Sequence, residues 1–157
     1  MPTPGIFDVV GQLAGCSKIV QIVVANYDEN VDSSSNQYAP TGLTATITPT
    51  DAANKILVVV FQNGLRKNGD CYGALRLVEA VQAVVLAYIE TAFGMTDASV
   101  AENNVGGSSL AFLNAPATTQ PLTYFTEFNC SIFSGSGITS VQHNSATSSM
   151  LLVEVLP

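Results

Sequence analysis

The stretch Lys55-Ile56-Leu57-Val58-Val59-Val60-Phe61-Gln62-Asn63 constrains the fold more than any other part of the 157-residue chain. Its core is six consecutive apolar residues, and Ile56, Val58, Val59 and Val60 are β-branched, which favours an extended strand. Successive side chains of a strand point to opposite faces. An uninterrupted apolar run is therefore buried on both faces, or buried on one and held against a second subunit on the other.

The rest of the chain repeats the theme in shorter pieces. Residues 18–25 are rich in Val and Ile and read as a strand. Thr44-Ala45-Thr46-Ile47-Thr48 alternates and stops at Pro49, as a half-buried strand does. Residues 108–113, 122–132, 138–142 and 147–155 are further strand candidates. Between them, Asn63-Gly64, Asn68-Gly69-Asp70, Asn114-Ala115-Pro116, Ser134-Gly135-Ser136-Gly137 and His143-Asn144-Ser145 carry turn chemistry, and residues 26–40 read as a polar loop. Short strands with this punctuation predict an all-β sandwich or barrel. Residues 74–95 are ambiguous. Val78, Val81, Val85, Tyr88 and Ala92 fall at helical spacing, while Leu75 and Leu77 alternate with Ala74, Arg76 and Val78 as in a strand.

Composition excludes several functions. Charged residues are only 11% of the chain, and 5 Lys plus Arg against 12 Asp plus Glu give a net charge of -7. A basic stripe for nucleic acid is absent from such a sequence. The apolar content, 47%, is too high for disorder, and so few charges leave apolar surface for other subunits to cover. The longest apolar stretch, residues 75–95, is interrupted by Arg76, Glu79, Gln82 and Glu90, which argues against membrane insertion. No basic region precedes an apolar one at the start, so no signal peptide is expected. Cys16, Cys71 and Cys130 lack paired spacing and read as reduced thiols of a protein assembled in a cytoplasm.

No cofactor or metal is expected. His143, the one histidine, sits in a turn signal, and no GxSxG elbow accompanies it. Asp28, Asn30 and Asp32 place oxygens at alternate positions like the start of a calcium loop, but Ser33 and Ala39 stand where that loop needs Gly and Glu. The GxG of residues 135–137 precedes a strand, so it presents no helix N-terminus to a phosphate. Asn129-Cys130-Ser131 fits a glycosylation sequon, but it lies inside a strand. Tyr27, Tyr38, Tyr72 and Tyr124 could offer rings to a sugar, although packing is the plainer use for them. No catalytic constellation emerges, and the chain does not read as an enzyme.

Residues 1–17 differ in character from the remainder of the chain. Pro2, Pro4, Gly5, Gly11 and Gly15 discourage regular structure, while Ile6, Phe7, Val9, Val10 and Leu13 are too apolar for water. They read as a short N-terminal docking arm ahead of a sandwich domain of residues 18–157.

One stretch is distinctive. Thr41-Gly42-Leu43-Thr44-Ala45-Thr46-Ile47-Thr48-Pro49-Thr50-Asp51-Ala52-Ala53-Asn54-Lys55-Ile56-Leu57-Val58 resembles the "TGLSATITPSSASNKILV" stretch of phage tail-fibre and virion surface proteins, especially those of marine and cyanobacterial phages. Other pieces match in order. Gln62-Asn63-Gly64 comes after the main strand, Leu75-Arg76-Leu77-Val78 is similar to "LRLVRG", and Ala115-Pro116-Ala117-Thr118-Thr119 to "SPATTS". Tyr124-Phe125 stands where a "YKTQF"-like strand is usual, and Leu151-Leu152-Val153-Glu154-Val155 resembles the terminal "LMEI". The resemblance is close over residues 41–63 and loose over 18–157. Residues 81–95 depart from it, being richer in Ala and Val.

The resemblance implies an antiparallel, jelly-roll-like sandwich of about eight strands, a homotrimer, and a place on a virion surface after assembly in the host cytoplasm. It also favours two strands over 74–95, with a turn near residues 79–81. Within that setting, Ile56, Val58, Val60, Phe61, Leu151 and Val153 are expected in the core or the trimer interface. The arm residues Ile6, Phe7, Val9, Val10 and Leu13 are expected to dock on the major capsid protein. Two functions fit: a capsid decoration or cement trimer that stabilises the head, or a tail-fibre or spike tip, with a tail stem protein or a host glycan as its partner. A tip normally needs a stem, a coiled coil or repetitive shaft, and about 17 residues without heptads or repeats precede the first strand, which favours cement.

Overall fold

The computed structural model describes residues 19–97 and 99–157. The arm residues Ile6, Phe7, Val9, Val10 and Leu13, and Cys16, lie outside them. Eight strands succeed one another: β1 (Ile19–Tyr27), β2 (Val31–Ser33), β3 (Ala39–Ile47), β4 (Lys55–Glu79), β5 (Val84–Phe93), β6 (Glu102–Asn114), β7 (Leu122–Val141) and β8 (Ser148–Val155). All their pairings are antiparallel.

β4 organises the molecule. Its first half, ending near Gly69, pairs with β6 on one side and β8 on the other; β1 then pairs with β8. Its second half, from Cys71 to Glu79, pairs with β5 and β7, and β3 pairs with β7. Two four-stranded layers result, β6–β4–β8–β1 and β5–β4–β7–β3, with β4 running through both. The partnerships are nested: β1 with β8, β3 with β7, and the two halves of β4 with β6 and β5. A long antiparallel hairpin rolled up on itself gives this pattern, the jelly roll.

The expected antiparallel jelly-roll sandwich is thus the observed fold, but several expected turns are not turns. Asn63-Gly64 and Asn68-Gly69-Asp70 lie inside the 25-residue β4. At both places the register shifts, between Asn63 and Leu65 against β6 and between Gly69 and Cys71 against β7. Turn-type residues here make bulges, which bend a long strand without ending it. Gly64 has φ 65, and a Cβ there would run into the backbone nitrogen of His143. Ser134-Gly135-Ser136-Gly137 likewise lies within the 20-residue β7, as an exposed excursion at the corner where β4 passes from one layer to the other. The loop expected over 26–40 contains β2 and the start of β3.

Residues 74–95 form two strands, not a helix. Glu79 is buried and its carboxylate accepts the backbone N–H of Val81 (2.7 Å) and Gln82 (3.1 Å), which caps the tight connection from β4 to β5. Long-range pairing overrides the helical spacing here: residues 71–79 are held between two neighbouring strands.

Both layers supply the core. Ile56, Val58 and Val60 from β4 and Met150 and Leu152 from β8 pack against Leu43, Ala45 and Ile47 from β3, Leu77 from β4, and Leu122 and Tyr124 from β7. Each large aliphatic side chain so buried contributes about 1.5–3 kcal/mol before ordering costs. A smaller cluster of Leu65, Leu75, Phe93, Phe128 and Val141 fills the corner.

Candidate interaction surface

The alternation of β4 separates its apolar run into two sets. Ile56, Val58 and Val60 are fully buried in the core, while Leu57, Val59 and Phe61 face outward. Strand register then sets outward residues side by side. One row runs Leu113, Leu57, Val153, Ile22; the next runs Ala111, Val59, Leu151, Val24. A third runs Ser109, Phe61, Ser149, Asn26, closed by a hydrogen bond from Ser149 Oγ to Asn26 Oδ1 at 2.7 Å. None of these twelve positions carries a charge. Val24 is 61%, Ile22 55%, Leu113 53% and Phe61 50% exposed. Val153, though outward, is hidden by its neighbours.

The outer face of the other layer is mixed: the register sets Val85, Val78, Phe125 and Thr44 in one row and Tyr88, Arg76 and Glu127 in the next. Thr46 and Thr123 share a hydroxyl hydrogen bond of 2.7 Å. Arg76 pairs with Glu127 at 2.7 Å and lies 3.7 Å from the centre of the Tyr38 ring. One outer face thus carries charges among its apolar side chains, and the three rows of the other carry none.

A second cluster lies at the end of the sandwich where the distinctive sequence stretch turns. Glu154 is fully buried, and its carboxylate accepts from Asn54 Nδ2 (2.7 Å), Thr50 N (2.7 Å), Thr50 Oγ1 (2.8 Å) and Gln21 Nε2 (2.6 Å). Burial alone would raise the pKa of this acid; the donors from Asn54, Gln21 and Thr50 outweigh it and hold the pKa at about 2, below the ordinary 4.5. Sequence reading missed Glu154, Thr50 and Asn54 as a unit. Their only signal was that they sit in the two pieces of the chain carrying the resemblance.

The other candidates are scattered. Ile56, Val58 and Val60 serve the core rather than a surface, whereas Phe61, Leu151 and Val153 lie on the outward apolar face. His143 Nδ1 is 3.3 Å from Asn30 Oδ1, in an open hollow of about 300 Å3 shared with Asp32, Arg66, Asn144 and Ser145. Asn30 donates to Asp32 Oδ1 at 2.9 Å. Asp28 does not line this hollow, and the Arg66 cation there opposes calcium. Among the described residues no group of three or more His, Cys, Asp or Glu is placed to hold a metal. Asn129, of the sequon, is buried with Oδ1 accepting from Ala74 N (2.9 Å) and Nδ2 donating to Asn36 O (3.2 Å).

The tyrosines form no common platform. Tyr124 is in the core and accepts from Asn114 Nδ2 at 2.8 Å. Tyr27 donates to Glu29 at 3.3 Å, Tyr38 holds Arg76, and Tyr72 stacks on Phe133 with ring centres 5.0 Å apart. Cys71 and Cys130 are free and buried, and burial, with the Cys71 thiol alongside, pushes the Cys130 thiol up to about 12. Such a thiol is a poor nucleophile. Among the described residues no helix is long and apolar enough to cross a membrane.

No protein-family model and no curated protein matches the sequence. Among solved structures the chain is similar to the VP2 subviral particle of infectious bursal disease virus, with a TM-score of 0.46 and 13% identity over 87% of this chain and 37% of that one. The Gx strain of the same virus gives a TM-score of 0.38 and 14% identity, covering 88% of this chain and 39% of that one. The chain spans well under half the length of the structures it matches.

Proposed function

We propose that this chain is a structural protein of a virion surface, a decoration or cement subunit that acts as a homotrimer on the major capsid protein of a phage head. The observation that carries the reading is the Glu154 cluster. Thr50 and Asn54 come from the stretch that closely resembles phage virion proteins, and Glu154 from the terminal stretch that resembles the same group. Two separate pieces of the resemblance meet at one buried carboxylate, as expected if the likeness reflects a shared scaffold rather than chance. The work of the chain on this reading is adhesion between subunits, which needs surface and rigidity rather than a reactive group.

Location and copy number in purified particles test the reading. Quantitative mass spectrometry with immunogold labelling should find hundreds of copies on the head. A handful of copies on the tail would replace cement with the tip of a tail fibre or spike, and absence from particles would end the virion reading. Deleting residues 2–15 should leave the sandwich folded with little change in Tm and abolish attachment to particles that lack the protein. Normal occupancy by the truncated chain would assign the anchor to the sandwich itself.

A further inference from the structure

We propose that the apolar outer face of the β6–β4–β8–β1 layer is the surface on which copies of this chain associate, each covering it with the same face of a second copy turned toward a shared axis. The inference deepens the trimer reading above and rests on it only for the number of copies.

Three observations favour a second copy as the occupant. The first is charge. Each copy carries a net charge of -7, so copies repel one another over most orientations. The three side-chain rows of this face are neutral, so two copies can meet there without stripping water from a charge. Interface centres are depleted of charge in the same way.

The second is size. Four strands about 4.8 Å apart, crossed by three rows two residues apart, make a flat patch of roughly 300–400 Å2. That is as large as the largest apolar patch on a typical monomer. It is about half of the ~800 Å2 per partner that a stable association covers, the right proportion for the apolar centre of an interface with a polar rim. The Ser109, Ser149 and Asn26 end of the third row supplies one side of that rim.

The third is the contrast between the two layers. The sandwich is made of one chain in one solvent, yet on one outer face Arg76 and Glu127 sit beside Val78, Val85 and Phe125, while Ile22, Val24, Leu57, Val59, Leu113 and Leu151 on the other have no charge among them. A contiguous apolar patch without any charge is what a face covered in the working protein carries.

The test is the mass of the full-length chain by sedimentation at 1–100 µM, with Val24→Lys and Leu113→Lys on the face and Met95→Lys as the control. Met95 is 59% exposed in a loop away from these rows, so its variant should match the wild type. Each face variant should weaken association at least about 100-fold and sediment near 16.4 kDa, because it places an unpaired ammonium in an apolar contact. Near-UV circular dichroism confirms that the variants fold, and two separate positions guard against one that does not.

Association as tight as wild type in both folded face variants would overturn the proposal, as would a wild type that is monomeric throughout. A chain starting at Ile19 that associates where the full chain does not would also overturn it, by showing that the first 18 residues cover the face. A wild type that is a dimer, dissociated by the face variants, supports the surface and refutes only the trimer.

Discussion

Thr126 Oγ1 donates to Gln62 Oε1 at 2.8 Å, tying β7 of one layer to β4 of the other inside the core. The bond is one link in a chain of buried hydroxyls and amides. Leu43 N donates to Thr41 Oγ1 (3.1 Å), and Thr41 Oγ1 lies 2.6 Å from Thr126 Oγ1. Because Thr126 gives its one proton to Gln62, Thr41 must give its proton to Thr126. Gln62 Nε2 donates to Ser148 Oγ at 3.0 Å, as does Asn63 N at 2.9 Å. The Ser148 proton is then left for the Gln142 amide oxygen, 3.1 Å away. Every member is satisfied, so each deletion strands a partner.

Thr126→Val leaves Gln62 Oε1 and the Thr41 hydroxyl without that partner, and should lower stability by about 1–3 kcal/mol. Gln62→Leu should cost a similar amount. The double variant should cost clearly less than the two together, with a coupling of about 0.5–3 kcal/mol. Urea denaturation of the three proteins measures this, and strict additivity would show that the links act independently.

The Glu154 carboxylate makes stability fall with acid. Its pKa is about 2 in the folded chain against an ordinary 4.5. A group whose folded pKa is lowered contributes stability that is complete above the unfolded value and is lost as pH falls toward the folded one. Tm should therefore drop between about pH 4.5 and 2. In Glu154→Gln it should be lower at pH 7, with a shallower decline over that window.

Gly64 and Gly106 both have positive φ, 65 and 92, but differ in surroundings. A Cβ at Gly106 meets nothing within 4 Å, whereas one at Gly64 strikes the backbone of Gln142 and His143. Gly106→Ala should cost only the roughly 1–2 kcal/mol of left-handed strain. Gly64→Ala should cost more, because the bend of β4 and the hydrogen bond from Gln142 N to Asn63 O (2.9 Å) must shift as well. Equal midpoints in urea would contradict this.

Leu152 and Leu113 separate the two faces of one layer. Leu152→Ala empties core space and should cost about 2–5 kcal/mol. Leu113→Ala, on the exposed face, should change the stability of the dissociated chain by less than about 0.5 kcal/mol. Denaturation at a concentration low enough to keep the chain monomeric compares them.

Much of the fold was legible because β-branched runs and Pro49 mark strands locally. The bends of β4 and β7 were not. Asn63-Gly64 and Ser134-Gly135 carry the same residues whether a chain reverses or merely bulges, and which occurs depends on the partner strand. The helical spacing of Val78, Val81 and Val85 left that segment undecided for the same reason: β7 and β5 lie on either side of residues 78–79 and fix them as strand. The apolar run 56–61 announced a strand apolar on both faces, but only the register with β1, β6 and β8 reveals which residues share the outer one. Glu154 gave no sign of burial, since its four donors come from residues 21, 50 and 54.

The nested pairing also governs when the chain can fold. β1 pairs with β8 and β3 with β7, so each waits for a strand made much later in the chain. A nascent chain that stops at residue 147 has made Ile56, Val58 and Val60 but lacks Met150 and Leu152 to cover them. The contacts of β8 with β1, β3 and β4, which close the core, therefore form only once β8 has been made, across long sequence separations that make folding slow. Until then the most apolar segment of the chain is exposed in the cell, and a truncated product is a sticky one.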